Sequence, residues 1–187
     1  ADRSPAGELE IAGAPLRSVI GCHWKVYVEN VNDSLHASVT PGSAALGTAA
    51  GLKALMKKGK MKSEPINVIA FCGDGGGADM GLGAISATLT HKEYNSLILM
   101  YDNESYANTD IQASGMTPYG ANTTFSPPGK VKRLIHTRWK KNMAGLMAAG
   151  HPECRYVATV CASYAVEMMN KVRRALTIGG PTFIHSL

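Results

Sequence analysis

An α/β fold is predicted for this 187-residue chain: a doubly wound, mostly parallel sheet with helices on both faces. Two observations carry that reading. Short apolar runs rich in β-branched residues recur along the chain, and each is followed by a longer segment of helical spacing. The first of the clearest runs also breaks into Gly-Asp-Gly-Gly-Gly before the helical pattern resumes, a strand-to-helix turn of the kind that receives phosphates.

The elements follow in order. Residues 1–14, rich in Gly, Pro and Ala, read as an extended lead-in, and "RSVIGC" as a short strand ending at Gly21. "PGSAALGTAAGLKALMKKG" opens on Pro, keeps small and apolar spacing and stops at Gly59, which predicts a helix. "INVIAFC" is too short for a helix and unbroken in its apolarity, the pattern of a strand covered on both faces. "ADMGLGAISATLTH" reads as a helix and "NSLILMYD" as a second buried strand. From Asn103 to Lys130 the chain is a long irregular loop of Asn, Gly, Thr, Ser and Pro, more often functional than filler at that length. A helix is expected over "KVKRLIHTRWKKNMAGLMAAG", then the strand "RYVATVC", the helix "SYAVEMMNKVRRALTIG" and the strand "PTFIHSL".

The bulk composition bounds the function. At 45% hydrophobic and 18% charged residues, a chain of this length is expected to form a single domain over residues 1–187. No apolar run approaches the roughly 20 residues that span a bilayer, and the start lacks the features of a signal peptide, so no membrane partner is expected and the default location is cytoplasmic. The charge of +5 includes a cluster of Lys130, Lys132, Arg133, Arg138, Lys140 and Lys141. It is read either as a solvated helix face or as a surface for an anionic partner. Nucleic acid is not expected, because the basic residues are not interleaved with stacking aromatics. The four cysteines show neither CxxC nor zinc spacing; Cys72 and Cys161 read as core residues and Cys154 as a loop thiol.

"GDGGGA" fits the G-x-G-x-x-[GA] pattern through Gly73, Gly75 and Ala78, with Asp102 following 28 positions after Asp74 as a candidate ribose acid. A Rossmann-type NAD dehydrogenase is therefore one reading. An aspartate in the phosphate turn would repel a pyrophosphate, and the repulsion disappears if Mg²⁺ lies between them. Adjacent parallel strands end side by side, so the end of the next strand can supply further oxygens: the Asn103 side chain and the Ser105 carbonyl.

A GDG followed about 30 residues later by Asn resembles the thiamine diphosphate motif; Asn103 stands 29 positions after Asp74. "GDGGGADMGLGAIS" and "YDNESYANTDIQASGMTPYGANTTFSPPGK" resemble the β subunit of 2-oxoacid:ferredoxin oxidoreductases, especially the pyruvate type, and "GPTFIHSL" resembles the strand before that subunit's last cluster cysteine. The resemblance implies the thiamine diphosphate-binding fold. It implies Asp74, Asn103 and the Ser105 carbonyl as Mg²⁺ ligands, and Gly73, Gly75 and Gly76 in the diphosphate turn. Tyr106 and Thr109 would lie near the cofactor, and Asn108 near the diphosphate and reacting thiazolium as a catalytic residue. "VIGC" resembles the family's "TGC", making Cys22 a ligand of a [4Fe–4S] cluster whose remaining ligands would lie in segments before Ala1 and after Leu187.

The implied activity is oxidative decarboxylation of a 2-oxoacid, with pyruvate first and oxalate or phenylglyoxylate as alternatives, and electrons passed through [4Fe–4S] clusters to ferredoxin. A partner subunit would supply the activating glutamate, and coenzyme A is a candidate acyl acceptor. A non-oxidative thiamine-dependent decarboxylase or synthase is the other alternative. Two departures stand out: "NTG" becomes "NTD", placing Asp110 in the loop, and a basic residue after the Gln gives way to Ala113. Both make the loop less positive, and both are expected to tune the site's choice of substrate or acyl acceptor.

Overall fold

The computed structural model describes residues 40–126 and 135–187, all within one compact unit, Asp33–Leu187. The expected strand ending at Gly21, and Cys22 with it, lie outside the described residues.

Four parallel strands form one sheet: β1 (Val68–Gly73), β2 (Ser96–Tyr101), β3 (Tyr156–Val160) and β4 (Thr182–Ser186), in the order β1-β2-β4-β3. Helices α1 (Thr40–Lys57), α2 (Leu82–Leu89), α3 (Met143–Gly150) and α4 (Ala165–Thr177) connect or flank them. Alternation along each strand sends side chains to two cores, one on each face. On one face Cys72, Ile98, Met100 and Phe183 pack with Ala45 of α1, Ile85 and Leu89 of α2, and Met143 and Met147 of α3. On the other, Leu97, Val160 and Ile184 meet Ala175, Met168 and Val172 of α4. The predicted architecture, helices on both faces of a parallel sheet, is the observed one.

Helix α1 ends as its sequence signals. Gly59 takes φ +66, and the amides of Gly59 and Lys60 bond back to the Met56 and Leu55 carbonyls, the closed C-terminal turn that glycine permits. Of the helix expected across residues 130–150, the part within the described residues, from 135 on, is helical only over Met143–Gly150. Residues 135–142 run as irregular chain until Asn142, whose side chain accepts the Gly145 N–H at 2.9 Å and caps α3. Among the described residues no helix is long and apolar enough to cross a membrane.

Candidate cofactor site

Gly73 and Tyr101 are register partners at the ends of β1 and β2, so Asp74 and Asp102 leave the sheet at equivalent positions on neighbouring strands. After Asp74 the chain coils into a π-helical turn, Gly75–Met80, before α2 begins. The glycines of this turn are required by closeness. A Cβ on Gly75 would sit 2.3 Å from the Tyr106 ring, and one on Gly77 would sit 2.8 Å from Met100 Sδ. Gly76 is half-buried, and its carbonyl accepts the Gly81 N–H that closes the turn. Gly73 has ordinary contact distances to Tyr101 and is not constrained in this way.

Asp74 is 1% exposed. Burial pushes its carboxyl above the usual carboxylate range; the Ser114 hydroxyl, which donates to Oδ2, opposes that shift, and the charge of Asp102 adds to it. Neighbouring Cys72 is pushed up to about 12 by burial and by Asp74, an inert core thiol as expected. Four carboxylates ring the ends of β1 and β2, and three of them are ion-paired. Asp79 meets Lys141 at 2.6 Å, while Asp102 and Glu104 each meet Lys140 at 2.8 Å. Asp74, the most buried, has no cationic partner among the described residues. An uncompensated buried carboxylate is costly unless a cation completes it.

The oxygens around Asp74 fit a hard cation. One terminal atom of the Asn103 amide lies 2.7 Å from Asp74 Oδ1 and 2.7 Å from the Ser105 carbonyl oxygen. That atom is the amide oxygen, facing two other oxygens; turned over, the amide would instead donate its NH₂ to both. As it stands, the side chain presents its oxygen, and three oxygens converge at nearly the spacing of ligands around Mg²⁺. An octahedron with metal–oxygen distances of about 2.1 Å sets neighbouring ligands about 3 Å apart. One carboxylate and two neutral oxygens leave positions for phosphate and water, the donor set Mg²⁺ takes beside a diphosphate. No group of three or more His, Cys, Asp or Glu side chains is arranged for a metal among the described residues.

The turn that carries Asn103 and Ser105 is tightly held. Asp102 Oδ1 accepts the Glu104 N–H at 3.0 Å, Glu104 adopts φ 67, and Thr117 Oγ1 donates to the Glu104 carbonyl at 2.5 Å. Asp102 Oδ2 also accepts from His185 Nε2 at 2.8 Å. Burial raises the Asp102 carboxyl, but His185 and Lys140 outweigh it and hold the group below the usual range. A carboxylate so engaged cannot receive a ribose, which removes the feature that supported a nicotinamide site.

Tyr106 lies over Gly75 and donates its hydroxyl to Asp79 Oδ2 at 3.1 Å; burial and Asp79 push the phenol up to about 12. It packs the loop against the glycine turn. Asn108 and Thr109 are exposed on the short 3₁₀ turn Ala107–Thr109, where the Thr109 hydroxyl donates to Gln112 Oε1 at 2.5 Å. No hydrogen bond joins either of them to Asp74, Asn103 or Ser105 among the described residues. Sequence reasoning missed Ser114, Asp79, Lys140, Lys141 and His185. Only the lysines carried a signal, as part of the basic cluster, and they serve neither as a helix face nor as a free anion-binding surface.

Comparison with known proteins identifies the family of the chain. Residues 20–186 match the family described as thiamine pyrophosphate enzyme, C-terminal TPP binding domain. The chain is 48% identical over 147 residues to pyruvate synthase subunit PorB of Methanocaldococcus jannaschii, covering 78% of this chain and 48% of that protein. It is 39% identical over 167 residues to ketoisovalerate oxidoreductase subunit VorB of Pyrococcus horikoshii, covering 89% and 52%. A solved 2-oxoglutarate:ferredoxin oxidoreductase from Magnetococcus marinus shares the fold, with a TM-score of 0.54 at 18% identity over 78% of this chain and 44% of that one. The chain spans about half the length of the curated relatives it matches. The resemblance to the β subunits of 2-oxoacid:ferredoxin oxidoreductases is thus matched by relatives as well as by motifs, and the chain belongs to the thiamine pyrophosphate enzyme family, carrying its C-terminal TPP-binding domain.

Proposed function

We propose that this chain is the thiamine diphosphate- and Mg²⁺-binding domain of the β subunit of a 2-oxoacid:ferredoxin oxidoreductase. The observation that carries the metal is the convergence of Asp74 Oδ1, the Asn103 amide and the Ser105 carbonyl around the one unpaired buried carboxylate of the rim. The relatives support the rest: they are subunits of a pyruvate synthase and a ketoisovalerate oxidoreductase, the former the more similar, which favours pyruvate as substrate. Oxalate and phenylglyoxylate are the further substrates to test.

Asp74, Asn103 and Ser105 would hold Mg²⁺, with the backbone of the turn from Gly73 to Gly76 beside the diphosphate. Ser114 fixes the Asp74 carboxylate, and Tyr106 closes over Gly75. When bound, thiamine diphosphate supplies a carbon nucleophile for the 2-oxo carbon and an electron sink for the loss of carbon dioxide. Asn108 and Thr109, exposed on their turn, are free to face the reacting end of the cofactor from the protein surface. Electrons leave through [4Fe–4S] clusters to ferredoxin, with Cys22 as one cluster ligand. A partner subunit supplies the activating glutamate across the exposed side of the site, and coenzyme A is the candidate acyl acceptor.

The test is cofactor retention in the full-length complex. Asp74→Ala is expected to abolish Mg²⁺-dependent binding of thiamine diphosphate, and Asn103→Ala to weaken it less, since a neutral oxygen contributes less than a carboxylate. Undiminished cofactor content in Asp74→Ala overturns the assignment. Activity of the complex against a panel of 2-oxoacids, with and without coenzyme A, assigns the substrate.

A further inference from the structure

Two adjacent lysines stand out because each reaches a different wall of the site. Lys140 Nζ lies 2.8 Å from Asp102 Oδ2 and 2.8 Å from Glu104 Oε1, the residues on either side of Asn103. Lys141 Nζ lies 2.6 Å from Asp79 Oδ1 and 2.6 Å from the Ala78 carbonyl, within the glycine turn that follows Asp74. Asp79 in turn accepts the Gly115 N–H at 2.8 Å and the Tyr106 hydroxyl. Gly115 follows Ser114, whose hydroxyl holds Asp74. Both lines of contact therefore end on the proposed metal ligands: one on Asn103 and Ser105, the other on Asp74.

We infer that Lys140 and Lys141 are positioning residues, a two-pronged clamp that sets both the spacing and the charge of the metal site. The inference rests on the reading of Asp74, Asn103 and Ser105 as Mg²⁺ ligands.

Spacing follows from covalent adjacency. Neighbouring residues of one segment grip the turns after β1 and β2, so neither turn moves without dragging the other. Charge follows from ion pairing. Lys140 engages Asp102 and Glu104, and Lys141 engages Asp79, so Asp74 alone is left to offer an uncompensated carboxylate. Freed of Lys140, Asp102 and Glu104 would add their oxygens to the neighbourhood of Asp74. A carboxylate-rich, looser site suits the larger Ca²⁺, which takes 6–8 oxygens, better than it suits Mg²⁺. The clamp thus acts on metal affinity and metal choice without touching the ion.

The experiment uses the full-length complex and thiamine diphosphate binding measured by calorimetry across a Mg²⁺ titration, then across a Ca²⁺ titration. Lys140→Met and Lys141→Met are each expected to raise the half-saturating Mg²⁺ concentration about tenfold or more, the usual effect of removing an outer partner of a metal ligand. At saturating Mg²⁺ the affinity for thiamine diphosphate should return to that of the parent. Lys140→Arg and Lys141→Arg should recover most of the loss, and Lys140→Met should narrow the discrimination between Mg²⁺ and Ca²⁺. Glu104→Gln, at an exposed carboxylate, loosens one prong without threatening the fold and should raise the Mg²⁺ requirement by a smaller factor. An unchanged Mg²⁺ requirement in Glu104→Gln and in the folded Met variants overturns the clamp, as does a loss of affinity that saturating Mg²⁺ does not restore. Asp74→Ala measured alongside separates the two readings. If the parent binds thiamine diphosphate without Mg²⁺, the metal site and the clamp both fall; if Asp74→Ala loses the cofactor while the lysine variants behave as the parent, only the clamp does.

Discussion

Asp110 is held at φ 89, ψ 42, in the left-handed region that an L side chain occupies at a cost. The conformation is imposed by its surroundings. The Thr124 hydroxyl donates to the Asp110 carbonyl, and the Thr124 N–H bonds to the Ile111 carbonyl at 3.2 Å, while Ile111 is itself at φ 59. The departure from "NTG" to "NTD" therefore has a backbone consequence besides any effect on substrate choice: it removes the residue best suited to this φ. Asp110→Gly should stabilise the protein by about 0.5–1 kcal/mol, the relief of left-handed strain less the added freedom of the unfolded chain. Thermal unfolding measures it, and an unchanged or lower midpoint would show that Asp110 makes compensating contacts. The same variant assayed for 2-oxoacid and coenzyme A preference tests the proposal that Asp110 tunes the site. At this scale Asp74 and Asn103 were legible because a carboxylate among glycines and an amide at the next strand end are chemically conspicuous. Ser114 was not, because one serine in a loop, 40 positions from the aspartate it holds, has no pattern around it.

Strands and their helices were legible because strands and helices demand different apolar periods, although β1, expected to be covered on both faces, lies at the sheet edge and leaves Ile69 and Phe71 exposed. Among the helices the exception is the segment before α3. Its apolar residues Leu134 and Ile135, then Met143, Leu146 and Met147, suggest a continuous helix, yet among the described residues, from 135 on, helical structure begins only at Met143. The reason is competition from other elements. Lys140 and Lys141 are drawn to carboxylates on the turns after β1 and β2, and Gly120 and Ala121 exchange backbone hydrogen bonds with His136. Asn142 then restarts the chain as a helix by accepting the Gly145 N–H. Asn142→Ala should cost about 1 kcal/mol, the usual loss on removing a capping side chain. Urea unfolding checks it. A smaller change would mean that α3 is fixed by burial of Met143 and Met147 alone.

At the largest scale, the described residues form a parallel sheet, flanked by helices, whose strand ends are tied together by charge. That the sheet is parallel could be read from alternation of element types, but the order β1-β2-β4-β3 could not, since it depends on which edge each crossover takes. Nor could the ion pairs of Lys140 and Lys141, which join residues from 36 to 62 positions apart. The Asp79–Lys141 pair makes three distant segments one: the glycine turn after β1, the Tyr106–Gly115 loop after β2, and the approach to α3. Burial alone would raise the Asp79 carboxyl, but Lys141, the Gly115 N–H and the Tyr106 hydroxyl together hold it below its ordinary value of 3.8. A carboxyl lowered on folding stabilises the native state fully above its unfolded value, and that contribution is lost as the pH falls through the lowered folded value. The pair's contribution should therefore be complete above pH 3.8 and drain away as the pH falls from there through the lowered folded value. Lys141→Met removes the largest opposing influence and leaves burial to act on Asp79, so its pKa should rise. The acid-unfolding midpoint of the variant, followed by far-ultraviolet circular dichroism, should move to higher pH, with little change near neutrality beyond the loss of one partly exposed pair. A midpoint unchanged by Lys141→Met would mean that the Gly115 N–H and the Tyr106 hydroxyl suffice to keep Asp79 ionised, and that the loop, not the lysine, joins the three segments.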